Sequence, residues 1–213
     1  MENNMFNNYR EWLNEQKMPK GKRSALLAGL ELFAKNGYDG TSTAQIAETA
    51  GISQATIFKY FKTKQDLLMN ILTPIIENFI PVYRDDFFSN FEKYNNDLPG
   101  LIHFALYDRY KFLKENSDSI LILLSELLIN QDVRDLFAKL VLDSRPIFTQ
   151  TVLKSLKDTG QLSENFSPAE AIRTIVGQLL PFFLQMHFLP ETIKNEEETL
   201  KSIEKIIITT LGK

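Results

Sequence analysis

The chain has 213 residues, 44% of them hydrophobic and 24% charged, with no cysteine and a formal charge of −3. That length and mix are enough for a full hydrophobic core and exclude disordered and fibrous classes. The missing thiols exclude disulfide frameworks and thiolate metal sites, and fit a reducing compartment. Two histidines, His103 and His187, are too few for a histidine-rich metal site, and no apolar run of about 18 residues offers a membrane span. The start, Met1-Glu2-Asn3-Asn4, has neither a basic region nor a following apolar stretch, so no secretory signal is expected. The small negative total hides an asymmetry. Residues 17–68 carry eight Lys/Arg against four Asp/Glu, whereas residues 69–213 carry fifteen against twenty. A basic head on an acidic body suggests a localised contact with a polyanion.

Residues 1–16 form an N-terminal extension rich in Asn and Glu. Met5, Phe6, Tyr9, Trp12 and Leu13 stand at loosely helical spacing, so a short amphipathic helix is expected. It either packs on its own domain or stays mobile, or else it reaches a DNA groove. The next helix is expected from about Pro19 to Lys35, with an apolar stripe at Leu26, Leu27, Leu30, Phe33 and Ala34. Asn36-Gly37 ends it. Ser42 and Gln45 form a capping box that opens a second helix running to Ala50. Gly51 permits a sharp turn, Ser53 caps a third helix from Gln54 to Phe61, and Thr63 caps a fourth with Asp66 in its first turn.

Two short helices joined by Gly51-Ile52-Ser53 make a helix-turn-helix. At 100° per residue, Ile57, Phe61 and Phe58 share one sector of the third helix, suited to a core. Ala55, Thr56, Lys59 and Tyr60 span the opposite side, a set suited to a major groove. Gln54 at the tip can make a bidentate contact with adenine. Thr43, at the start of the second helix, offers a hydroxyl and a backbone N–H to a phosphate, and Lys62, Thr63 and Lys64 do the same at the start of the fourth.

The run Gly37-Tyr38-Asp39-Gly40-Thr41-Ser42-Thr43-Ala44-Gln45-Ile46-Ala47, continued by Ala50-Gly51-Ile52-Ser53-Gln54-Ala55-Thr56-Ile57-Phe58-Lys59-Tyr60-Phe61-Lys62-Thr63-Lys64-Gln65-Asp66-Leu67-Leu68, resembles the DNA-binding head of TetR/AcrR-family repressors. The resemblance covers about residues 20–68. It implies that Thr43 touches phosphate, that Gln54, Ala55 and Thr56 approach bases, and that Lys59, Tyr60 and Lys64 meet bases or backbone. Position 58 departs from the family pattern, because Phe58 lacks the hydroxyl by which the usual tyrosine reaches phosphate. The set expected at DNA is therefore Thr43, Ser53, Gln54, Ala55, Thr56, Lys59, Tyr60, Lys62, Thr63 and Lys64. The resemblance also implies a bacterial, cytoplasmic protein, nucleoid-associated when bound to DNA.

The fold class expected is all-α, with a three-helix DNA-binding head over residues 17–66 and a helical regulatory body over 67–213 of about nine helices in all. Pro74 and Pro81 should kink or stop the helix from Lys64. Further helices are expected from Asp97 to about Glu115, from Ser117, from Asp132 to Gly160 with a kink at Pro146, from Ser167 to about Phe188, and from about Glu196 to Leu211. Ile172, Ile175, Val176, Leu179, Phe182, Phe183 and Met186 cover more than one face of the penultimate helix, so it meets more than one neighbour. On pattern alone these residues suit either the chain's own core or a partner; by resemblance the last two helices pair two chains into a four-helix bundle, with Ile172, Ile175, Val176, Leu179, Phe183, Ile203 and Ile207 at the interface. A homodimer would read a pseudo-palindromic operator.

The body should also hold a small apolar or amphipathic inducer if it behaves like the family. Candidate lining residues are polar or aromatic groups within apolar runs: His103, Tyr107, Tyr110, Glu126, Gln178, Phe182 and His187. Glu126 sits in the run Ile120–Ile129 and either meets a cationic ligand, pairs with a Lys or Arg of its own chain, or rims the surface. A body that docks a protein partner instead stays open. No phosphate-cradling glycine motif, nucleophile elbow or metal spacing is present, so no enzyme, cofactor, metal or membrane role is expected.

Overall fold

The structure, a computed structural model, describes residues 4–94 and 97–213, and it is all-α: the described residues hold no β-strand, only an isolated bridge between Leu162 and Gly212. The helices are α1 (Met5–Glu15), α2 (Lys20–Asn36), α3 (Thr43–Ala50), α4 (Gln54–Tyr60), α5 (Lys64–Pro74), α6 (Ile80–Phe91), α7 (Leu98–Glu115), α8 (Ser117–Ile129), α9 (Gln131–Phe148), α10 (Lys154–Asp158), α11 (Pro168–Phe188) and α12 (Glu196–Leu211). Wider π-turns at Ile75–Phe79 and Thr149–Leu153 join α5 to α6 and α9 to α10. The chain forms two compact units, one reaching Val82 and adding Glu115–Asp143, the other made of Tyr83–Lys114 and Ser144–Lys213.

Local chemistry sets the helix starts. Ser42 and Gln45 form the capping box at α3, and Ser167 and Glu170 form another at α11. The hydroxyls of Ser53 and Thr63 accept from the backbone N–H of Thr56 and Asp66 at α4 and α5. Gly51 ends α3 at φ 65°, a left-handed conformation that a side chain would strain. Gly29 serves close approach instead. A Cβ there would stand 2.6 Å from Leu67 Cδ2 and 3.0 Å from Ile71 Cδ1, so any side chain at this position would have to displace the ends of those two.

The helix from Lys64 does not stop at its prolines. Proline lacks the N–H that would bond the carbonyl four residues back, so Pro74 frees Asn70 O and the chain widens into the π-turn. The hydroxyl of Tyr9, 61 positions earlier, donates to that oxygen at 3.4 Å. Tyr9 is fully buried, stacked on Trp12 with centroids 5.7 Å apart and set edge-on to Phe79 at 6.2 Å. Burial pushes its phenol pKa up. Arg23 donates through Nε and Nη2 to Leu13 O and Gln16 O, each at 2.8 Å, closing the end of α1. At the other end, Met5 N donates to Asn116 Oδ1 at 2.6 Å. Of the two readings of the extension, the structure takes packing: α1 lies on its own unit rather than extending as an arm.

In the second unit the core is formed by Phe88 and Phe91 of α6, Leu101, Ile102 and Leu106 of α7, Leu179 and Phe182 of α11, and Leu200, Ile203, Ile207 and Leu211 of α12. Arg109 of α7 lies over the rings of Phe87 and Phe112, at 4.3 and 5.0 Å, and its Nε and Nη2 bond Asp108. Burial lowers its pKa, and the Asp108 carboxylate opposes that shift.

Candidate nucleic-acid interface

Helix α4 is held from beneath by Ile57 and by its C-cap Phe61, both buried. That leaves Ser53, Gln54, Ala55 and Lys59 exposed, with Thr56 and Tyr60 half-buried beside them. Phe58 corrects the sequence reading. Expected in the core sector, it is 48% exposed. It lies 100° round the helix from Ile57, at the edge of that sector, and a helix of seven residues packed on α2 and α3 is covered only on its Ile57–Phe61 side.

The polar groups of the face are tied to one another. Gln54 Nε2 donates to Thr43 Oγ1 at 2.8 Å, across the turn between α3 and α4. Ser53 Oγ and Thr56 Oγ1 share a hydrogen bond of 2.8 Å. Lys59 Nζ rests 5.8 Å from the Tyr60 ring centroid. Lys62 N donates to Asp66 Oδ2, which fixes the entry to α5 beside Thr63.

Lys64 is placed differently from a free phosphate contact. Its ammonium donates to Tyr38 O at 2.9 Å and Thr41 O at 3.1 Å, and stands 4.0 Å from the Tyr38 ring centroid. It therefore braces the loop between α2 and α3. Lys20 and Lys22, not among the expected contacts, open α2. Gly21 between them sits where a Cβ would come within 3.4 Å of Thr56 and Tyr60, so this basic turn borders the exposed face. The cluster of positive charge over residues 17–68 was the signal for them.

This geometry matches a known pattern. Residues 25–71 match the model of the bacterial regulatory proteins of the tetR family. That stretch is similar to the DNA-binding head of the tetR family. A fatty acid metabolism regulator protein of Bacillus subtilis is 35% identical over 72 residues, covering 34% of this chain and 37% of that protein. YvkB, an HTH-type transcriptional regulator of the same organism, is 47% identical over 55 residues, 26% of this chain and 29% of that one. The matched stretches thus span about a third of the length of these curated relatives. In overall fold the chain is similar to FadR of Bacillus subtilis, solved with stearoyl-CoA, at a TM-score of 0.61 over 87% of this chain and 97% of that one, with 18% identity.

The residues expected to line a pocket fall in both units. Glu126 of α8 belongs to the first unit, whereas His103, Tyr107, Tyr110, Gln178, Phe182 and His187 belong to the second. Glu126 is 2% exposed, and Asn130 Nδ2 donates to its carboxylate at 3.2 Å. Burial raises its pKa and the Asn130 bond opposes this. Asp39 raises it further, and Lys64 lowers it. The structure thus meets the carboxylate with groups of its own chain. His103 is exposed, bonded through Nδ1 to Glu204 at 3.0 Å, with its ring centroid 4.3 Å from that of Tyr107 and tilted 31° to it. Tyr110 and Phe182 stack on each other at 5.4 Å inside the core. His187 is exposed beside Phe188. An open hollow of about 290 Å³ lies in this unit, lined by Gln185, Thr192, Ile193, Asn195, Glu198 and Ser202 among others, and by none of the expected residues.

The expected interface residues also divide. Leu179, Phe183, Ile203 and Ile207 are buried within the single chain, so their apolar surface is already covered. Ile172 and Ile175 are half-buried. Val176 is exposed, and so is Ile206 of α12, which the periodicity did not single out. No helix among the described residues is long and apolar enough to cross a membrane, and none of their His, Asp and Glu side chains form a group able to hold a metal ion.

Proposed function

We propose that the protein is a dimeric transcriptional repressor that binds a pseudo-palindromic operator through α4 and is released by an amphipathic inducer of the long-chain acyl type. One observation carries the reading: a TetR-family head whose exposed α4 face offers an amide, hydroxyls, a cation and a small methyl over a buried Ile57–Phe61 base. Those groups suit base edges, while the hydroxyls of Thr43, Ser53 and Thr63 and the cations of Lys20, Lys22, Lys59 and Lys62 suit the phosphates on either side. Lys64 would act by bracing the head. The dimer would use the exposed apolar residues of α11 and α12, Val176 and Ile206, with Ile172 and Ile175 beside them. The inducer class is supported by the relative named for fatty acid metabolism and by the stearoyl-CoA in the FadR neighbour. An aromatic-rich second unit suits such a chain. The inducer would act by binding one body conformation better than another.

The test is an anisotropy titration against the duplex upstream of the coding sequence, with a scrambled duplex as control, at two salt concentrations and with or without stearoyl-CoA. Selective binding of about 10⁻⁸ M or tighter, weakening steeply with salt, is expected, and stearoyl-CoA should weaken it at least about tenfold. Equal weak binding to both duplexes would contradict repression from this site. Selective binding unmoved by stearoyl-CoA, with no rise in melting temperature on adding it, would remove the acyl inducer and favour a body that docks a protein.

A further inference from the structure

The bond between Gln54 and Thr43 couples two contacts that sequence reasoning treats as independent. Thr43 is the first residue of α3 and Gln54 the first of α4, and Gln54 Nε2 donates to Thr43 Oγ1 at 2.8 Å. We propose that Thr43 is a positioning residue for base reading: its hydroxyl fixes the amide of Gln54 and links that amide to the phosphate backbone. The inference rests on the DNA-reading function proposed above.

The chemistry of a primary amide supports it. The nitrogen carries one hydrogen on the same side as the carbonyl oxygen and one on the opposite side. A bidentate contact with adenine uses the oxygen and the near hydrogen. The far hydrogen is surplus, and Thr43 Oγ1 is an acceptor able to take it. Gln54 is exposed, so without this partner its long side chain would sample several rotamers, including amide orientations that present a donor where an acceptor is wanted. The hydroxyl, having accepted, keeps its own proton, which can donate to a phosphate oxygen at the start of α3. The result is a continuous chain, phosphate to Thr43 to Gln54 to base, in which each bond polarises the next. A phosphate contact then does more than anchor. It holds the reading group of the neighbouring helix in register.

The test uses the full chain and a duplex enriched from a randomised library. Affinity is measured for that duplex and for a series changed one base pair at a time. Gln54→Ala locates the base pair that Gln54 reads. Thr43→Val keeps the branched shape but removes the hydroxyl, and it should lower discrimination at that base pair about five- to tenfold, above any loss shared by all duplexes. Thr43→Ser restores the hydroxyl and should restore the discrimination. Combined with Gln54→Ala, Thr43→Val should add no further loss of discrimination at that position. Melting temperatures, expected to match the wild type, separate positioning from unfolding. A loss for Thr43→Val that is equal across all duplexes would reduce Thr43 to a phosphate contact and overturn the inference. Failure of the wild type to enrich any duplex would overturn DNA reading itself, and this inference with it.

Discussion

Burial of a carboxylate makes the native state hold its proton more tightly than the unfolded chain does, and Glu126 is the case here. For an acid shifted upward the sign is unambiguous. Its contribution to stability is fully present below the ordinary carboxylate range and is lost as the pH rises through the native pKa. Glu126→Gln keeps an oxygen for Asn130 and removes the charge, so it should raise the melting temperature at pH 7. That advantage should shrink as the pH falls through the carboxylate range. A variant less stable than wild type at pH 7 would show instead that the charge is compensated there, with Lys64 the nearest candidate. This residue marks a limit of sequence reading. A glutamate inside an apolar run demands a partner, but its placement beside Tyr38 and Lys64 depends on how α8 packs on the head, which no local spacing states. The caps lie at the opposite extreme. Ser42 with Gln45 and Ser167 with Glu170 meet their partners within one turn, so the sequence alone places them.

Among the elements, α1 does what its composition did not announce. Pro74 deprives Asn70 O of its helical donor, and Tyr9 supplies one from α1. Tyr9→Ala should lower the stability of the first unit by about 3–5 kcal/mol, the usual range for deleting a buried aromatic ring. Tyr9→Phe, which loses only the hydroxyl, should cost about 1 kcal/mol. Denaturant titrations followed by the fluorescence of Trp12, the chain's single tryptophan, report this directly. Equal stability of Tyr9→Ala and wild type would mean that α1 is ornamental. The periodicity of Met5, Tyr9, Trp12 and Leu13 made the helix legible. Its packing partner was not, because the contact joins positions 61 apart. Phe58 failed for a related reason. A helical wheel ranks sides by apolarity, whereas the neighbours decide how wide a sector they cover.

At the scale of the molecule, the order and ends of the helices were largely legible, because prolines and caps punctuate the chain. Which apolar residues the chain covers with its own helices was not. Leu179 and Ile207 have the helical spacing that either an interface or a core would show, and the fold buries both in the chain's own core. The proposed dimer uses the exposed apolar residues of α11 and α12, Val176 and Ile206. Val176→Arg combined with Ile206→Arg should raise the dissociation constant of the proposed dimer about 100-fold or more, since charge at an apolar contact costs several kcal/mol. Sedimentation measures this, with circular dichroism expected to show unchanged helix content. A double variant that stays dimeric would move the interface elsewhere.

The proposed function stands or falls with the outward face of α4 as the surface that reads DNA. The most direct measurement compares the wild type with the triple variant Gln54→Ala, Thr56→Ala, Lys59→Ala on a selected duplex and on its scrambled counterpart, with melting temperature followed in parallel. These three side chains lie outside the buried core, so the variant should melt within a few degrees of the wild type while its preference for the selected duplex falls by at least about 100-fold. A triple variant that folds and still discriminates between the two duplexes as the wild type does would contradict the claim.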